Sequence, residues 1–320
     1  MTSIFDFPSR RAWAWLAYAG LTAYGVLALA EFSVKIRPIM IGAAISALFA
    51  CGGGVYLRSR PHKRLFAMFM GLSYFAAIGI SAGALSFAVV PFTGRLWDAR
   101  FVALEKGVGI DWPALVAFMV GNASWNHVWA LAYSSAFSQI MVVLLLLPGF
   151  GHEDRLAAFL KLIAATLIVV AAITLIVPVA GPVEAYGLTE QARTTIGPPS
   201  YAHLGQFFEL REGRLTTFDL AKMAGMVSFP SFHTIVAILT AWALWPLRII
   251  GPIALVLNAL LIISTVPWGG HYLIDIPAGA AIAAVAILAV AHRDKFVLAP
   301  AEQALGGAPV IAGDQPPARA

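Results

Sequence analysis

Charge is scarce in this chain. Asp, Glu, Lys and Arg make up 12% of its 320 residues, about half of what a soluble globular domain carries. Cysteine is almost absent. Cys51 stands alone, so no intrachain disulfide can form and the redox compartment stays open. Its apolar neighbours mark it as inert packing. No long basic run occurs either: the net charge of +5 and the pI near 9.5 come from Lys and Arg scattered through short loops. That pattern speaks for membrane topology and against a nucleic-acid partner.

What the chain has in abundance is apolar length. Hydrophobic residues make up 60% and the mean hydropathy is +0.82, and apolar runs of roughly 20 residues read as membrane spans. The expected fold is all-α, a polytopic helical bundle of about eight spans near 13–29, 38–57, 65–90, 125–147, 159–179, 229–247, 249–266 and 272–291. The first run shows no small-residue cleavage site and reads as a retained span. Residues 1–64 form an N-terminal two-helix addition, 65–292 the catalytic membrane domain with a six-helix core, and 293–320 a Pro- and Ala-rich disordered tail. Two long connections interrupt the spans. The first, 91–123, has the mixture of an interfacial helix, and the second, 180–227, is polar. Gly52-Gly53-Gly54 and Ala278-Gly279-Ala280-Ala281 read as packing signals. Trp112, Trp125 and Trp268 fall near expected interfaces, where an aromatic belt accounts for them.

Basic residues set the orientation. With the N-terminus inside, Arg58, Arg60, Lys63, Arg64, Arg155, Lys161, Arg248, Arg293 and Lys295 are cytoplasmic. The outer set is Lys35, Arg37, Arg95, Arg100, Lys106, Arg193, Arg211, Arg214 and Lys222, most of which lie in the two long loops, where the rule has little force. Both termini are cytoplasmic in this arrangement, in an inner or plasma membrane.

Two motifs carry the chemistry. Phe229-Pro230-Ser231-Phe232-His233-Thr234 is answered by Gly270-His271-Tyr272-Leu273-Ile274-Asp275. Each histidine stands where a loop runs into an apolar helix, and the span count puts both at one membrane face, the outer one. His271 and Asp275 are four apart, which places them on one helix face. A carboxylate there fixes the imidazole tautomer and supports its charged form. A lone histidine at a membrane edge is ordinarily structural; two such motifs on one side point instead to phosphoryl transfer through a phosphohistidine. His271 is then the nucleophile, Asp275 its orienting group and His233 the acid and base. The hydroxyl of Ser231 and the N–H groups opening the two helices bind phosphoryl oxygens. No metal cluster lies nearby, and neither metal nor cofactor is required.

The pattern resembles the type 2 phosphatidic acid phosphatase superfamily of lipid phosphatases and phosphotransferases. Its second motif, PSGH, survives as Pro230-Ser231-Phe232-His233, with Phe232 replacing glycine. Its third, SRxxxxxHxxxD, survives at Ser264, His271 and Asp275, with Thr265 at the arginine position. The first, KxxxxxxRP, is not recognisable. The missing cations are the groups that clamp a doubly charged monoester, whereas a diester carries one charge and needs fewer. Gly-Gly-His-Tyr-x-x-Asp without a preceding arginine looks more like the inositol phosphorylceramide synthase branch, as does the stretch from Trp97-Asp98 to Asp111.

The resemblance implies a membrane enzyme acting on a lipid with a phosphorylated head group, by phosphotransfer or by hydrolysis. Arg211 is the best replacement phosphate clamp, with Arg193 and Lys222 behind it; an ordinary solvated loop charge is the blander account of each. His203 reads as loop structure, and Asn126, His127 and Gln139 as interhelical hydrogen bonding or a lipid entrance. A phosphatidic acid or polyprenyl diphosphate phosphatase is the alternative within the family. A lipid transporter or scramblase is the alternative outside it, although its ionisable groups belong at mid-bilayer. An inactive scaffold is the third. Oligomeric state is not legible.

Overall fold

The structure is a computed structural model that describes residues 9–59, 62–189, 193, 195–223 and 225–305, with side chains described as far as His292. Three apolar helices open the chain: α1 (Arg10–Leu29), α2 (Ile36–Ser59) and α3 (Lys63–Val89). Ser9 starts α1 by accepting the Ala12 N–H on its side chain, which satisfies one of the donors a helix start leaves open. Two short helices occupy the first long connection, α4 (Asp98–Gly107) and α5 (Trp112–Val120); Asp111 caps α5 through Ala114 N. Then come α6 (Ala123–Gly149), capped by Asn122, and α7 (Glu153–Ile176). The second connection holds α8 (Pro182–Ala185) and α9 (Leu204–Arg211). The chain closes with α10 (Phe232–Leu244), α11 (Ile250–Gly269) and α12 (Asp275–Leu305).

Among the described residues, seven helices are long and apolar enough to cross a membrane: α1, α2, α3, α6, α7, α11 and α12 as far as His292. The remaining expected span, 229–247, is α10, which has only 13 residues. At about 1.5 Å per residue it reaches roughly 20 Å, short of an apolar layer of about 30 Å. It is also the most enclosed helix, packed against α6, α7, α11 and α12 with Ile235, Ala237, Leu239 and Ala243 fully buried. Its carbonyl end is closed by Arg155, whose Nε donates to Ala243 O at 3.0 Å and whose guanidinium lies 4.2 Å over the Trp242 ring. The backbone of α12 stays helical to Leu305, past the point where the sequence ends the last span. Arg60 and the tail residues 306–320 lie outside the described residues.

The two N-terminal helices sit to one side. α2 packs chiefly on α3 and buries only Gly53, where an added Cβ would come within 3.1 Å of Phe69. Cys51, on the same helix, is exposed and not the inert packing residue its apolar context suggested, because α2 turns most of its surface away from the protein. A two-residue parallel pair joins β1 (Ser33–Val34) to β2 (Thr217–Phe218), and Lys35 Nζ reaches Asp219 Oδ2 at 3.0 Å. These contacts tie the α1–α2 turn to the second long connection.

Two cores stack along the bundle. One holds Leu144, Leu156, Phe159, Ile163, Ile235 and Leu239 between the spans. The other, with Leu27, Phe87, Trp112, Phe207, Phe218 and Val266, packs the helix ends against both connections. At that end the last turn of α11 meets the first turns of α10 and α12, and there the motif residues gather.

Candidate active site

Ser231 opens α10. It is fully buried, and its Oγ accepts the Thr234 N–H at 3.3 Å. His233, two residues on, therefore leaves the first turn. α11 ends at Gly270, whose left-handed backbone (φ 62°) lets the chain turn out of the helix where a side chain would strike Ser200. The chain then runs through His271 to Ile274 without helix and begins α12 at Asp275. His271 thus stands on a loop and not on the helix face expected from its spacing. The i,i+4 contact survives because Asp275 N donates to Tyr272 O, closing a turn that brings the carboxylate back beneath the ring.

The two histidine rings lie with centroids 6.3 Å apart at 64°, and His233 also stacks on Tyr133 at 4.5 Å. His271 Nδ1 is 2.9 Å from Asp275 Oδ2, and the same oxygen accepts the Tyr272 N–H at 3.0 Å. Both groups are out of solvent, His271 at 4% exposure and Asp275 at 0%. Burial lowers the pKa of His271 to about 4, against the opposing pull of a hydrogen bond to the Ser228 backbone. Close contact between α10 and α12 fixes the two motifs relative to each other. Ser231 N donates to Asp275 O at 3.2 Å, and a Cβ on Gly279 would lie 2.5 Å from Ser231 O. Gly279 is thus more than a general packing signal: only a glycine lets these two segments meet.

The first connection supplies a second layer. Asp98, at the start of α4, accepts N–H groups from Ala180 (3.0 Å) and Gly181 (2.8 Å) and the Tyr272 hydroxyl (3.1 Å). Glu105, about two turns further along the same α4 face, accepts from Leu273 N at 2.5 Å and Ile274 N at 3.4 Å. Burial pushes the Glu105 carboxyl above its usual range, although both backbone bonds pull the other way. Trp112 Nε1 donates to His271 O at 3.0 Å. It is fully buried, so it braces the loop and does not belong to an aromatic belt. Trp268 Nε1 donates to Asn126 Oδ1 at 2.8 Å, and Asn126 Nδ2 to Thr195 O. Gln139 and Asn258 bond α6 to α11 at 2.7 Å, the interhelical role expected of the former. Sequence spacing gave no sign that Asp98, Glu105, Trp112, Tyr133 and Tyr272 meet at one place.

These braces also narrow where an anion can bind. At the start of α12, the N–H groups of Tyr272, Leu273, Ile274 and Asp275 are already engaged, so this helix does not offer them to phosphate as expected. At α10 the Ser231, Thr234 and Ile235 N–H groups are engaged. Among the described residues, no partner takes the Phe232 and His233 N–H groups or the Ser231 hydroxyl proton, which lie at the same helix start as His233. Arg211 spends its guanidinium on Thr93 Oγ1 and, at 2.8 Å, on Gly94 O, over the Phe207 ring. Among the described residues nothing joins it to either imidazole. Arg193 lies 3.9 Å from Glu184, and Lys222 is exposed. His203 is buried with Nε2 3.1 Å from Ala180 O, a loop-bracing position.

A family model described as the PAP2 superfamily matches residues 99–289, more than half of the chain. The chain belongs to the PAP2 superfamily. Membership gives it a phosphatase- or phosphotransferase-type lipid chemistry, a phosphorylated lipid substrate and a membrane setting. The matched segment starts inside α4 and ends inside α12, so α1 to α3 lie outside it. No curated protein and no solved structure matches the chain.

Proposed function

We propose that the protein transfers a lipid head-group phosphate through a phosphohistidine on His271, with a phosphodiester lipid as donor. One observation carries the choice of a diester. The ring partners of His233 and His271 are Asp275, Ser228, Tyr133 and each other, with no lysine or arginine among the described contacts. Asp98 and Glu105 stand just behind them. Carboxylates without cations repel a dianionic monoester more strongly than a singly charged diester.

With Nδ1 bonded to Asp275, Nε2 of His271 carries the lone pair. It attacks phosphorus as the bond to the leaving oxygen breaks, and Asp275 steadies the positive charge that develops on the ring. His233 gives its proton to that oxygen. It then takes the proton of the incoming hydroxyl, which attacks phosphorus and breaks the P–N bond, restoring His271. Ser231 and the free N–H groups at the α10 start hold the non-bridging oxygens. Arg211 would reach them only by leaving Thr93 and Gly94, so we place it at the rim. Water as the second acceptor turns the same cycle into hydrolysis. We place the active site on the outer side and both termini in the cytoplasm, with α10, shorter than the seven long apolar helices, making the eighth crossing together with the loop residues at its ends; the distribution of basic residues supports this.

The test is incubation of pure protein with labelled diester and monoester lipids, with and without an alcohol acceptor, followed by an alkaline quench, which preserves a P–N bond, and analysis of phosphate on His271. Diester-dependent labelling of His271 with transfer to the alcohol supports the reading. Phosphate release from monoesters alone would replace it with the phosphatase.

A further inference from the structure

A cavity of about 560 Å³ opens between α1, α3 and α7, within the size range of small-molecule sites. Its walls are mostly apolar, with Trp15, Ile78 and Ile168 along its length. Arg11 and Lys161 line one end. Both are exposed, and neither has an ion pair or hydrogen bond among the described residues. Lys161 precedes Thr174, whose hydroxyl touches Phe229 O beside the first histidine motif, by thirteen residues of the same helix. At 1.5 Å per residue Lys161 lies roughly 20 Å from that motif along the bundle, and no motif residue lines the cavity. The cavity is therefore separate from the candidate active site.

An apolar trough on membrane-spanning helices is filled by acyl chains or by another protein. The two unpaired cations at one end decide between them: they complement a phosphate at head-group level with chains running inward from it. We propose that this groove binds a phospholipid with an anionic head group, its phosphate between Arg11 and Lys161 and its chains against Trp15, Ile78 and Ile168. In the orientation given above, this is a lipid of the cytoplasmic leaflet, opposite the leaflet of the reaction. The α1 addition, which lies outside the family match, supplies one wall.

Native mass spectrometry of delipidated protein titrated with phosphatidylglycerol or phosphatidylcholine tests this. Wild type is expected to retain phosphatidylglycerol preferentially. Arg11→Gln and Lys161→Gln should each weaken it about fivefold, the scale of one interfacial cation, while Arg248→Gln, a cation outside the groove, leaves it unchanged. Ala165→Trp, which fills the groove, should displace the lipid; its melting temperature in detergent reports whether the fold survives. Equal retention of both lipids would overturn the proposal. So would an equal effect of Arg248→Gln, unchanged binding by a folded Ala165→Trp protein, or a second copy of the chain covering the groove. None of these readouts depends on catalysis, so they stand or fall apart from the proposed reaction.

Discussion

Glu105 accepts the backbone N–H of Leu273 across 168 residues of sequence, in the middle of the loop that separates His271 from Asp275. The loop is thereby held from behind by α4, a helix with no hydrogen bond or ring contact to either imidazole among the described residues. Glu105→Ala would strand two partly buried N–H groups, each at the low end of about 1–3 kcal/mol. The expected result is a fall in kcat of about ten- to a hundredfold with KM nearly unchanged. Glu105→Gln keeps an acceptor oxygen and should restore most of the rate.

The same residue sets a pH dependence. Burial raises the Glu105 pKa, so the folded protein binds this proton more tightly than the unfolded chain does. Its contribution to stability is present below the ordinary glutamate value and is lost as pH rises through the raised one. Melting temperatures in detergent should decline across that window in wild type. Glu105→Gln should flatten the decline.

Asp275→Asn leaves the size of the side chain but offers His271 Nδ1 the wrong partner. A loss of about 10³–10⁴ in rate is expected, the scale of such tautomer errors. His271→Ala should abolish acid-labile phosphate on the protein, whereas a His233→Ala protein should still label slowly from a donor with a good leaving group. Burst-phase labelling separates the two.

With its pKa lowered to about 4, His271 is neutral through the physiological range and can act as a nucleophile without first losing a proton. The protonated fraction grows only as pH falls toward 4. The kcat/KM profile of solubilised protein should accordingly place the acid limb belonging to His271 near that value, well below the limb of an ordinary histidine. An Asp275→Asn variant with residual activity offers a second profile for assignment.

Gly279 faces Ser231 O at a distance that no side chain can share. Gly279→Val should separate α12 from the α10 start, destabilise the protein by about 1–3 kcal/mol and lower activity more than a comparable change at Gly54, where nothing lies within 4 Å. Thermal unfolding and turnover measured on the same preparations check this.

Topology can be read with a single background change, Cys51→Ser, since no other cysteine is present. Lys222→Cys is expected to react with a membrane-impermeant maleimide from outside intact cells, and Arg248→Cys only after permeabilisation. The reverse pattern would turn the active site inward.

The spans were legible because burial in lipid demands long apolar runs, and the two histidines because chemistry at a membrane edge has few other uses. Asn126 and Gln139 likewise bond between segments as their polarity suggested. What the sequence concealed is contact across distance. Asp98 and Glu105 look like ordinary charges of a surface helix, and only the fold brings them under Tyr272 and Leu273. Trp112 has the composition of a belt residue and the position of a brace. The four-residue interval between His271 and Asp275 suits a turn as well as a helix, so spacing alone put His271 on the wrong element.

Ala180 is the point where these layers meet. Its N–H goes to Asp98, and its carbonyl lies within reach of both His203 and the Ser228 hydroxyl. Asp98 in turn holds Tyr272, the residue next to His271. A displacement of Ala180 is therefore felt at Asp98 and, through Tyr272, beside His271, so the second long connection and the loop of the second motif move as one unit.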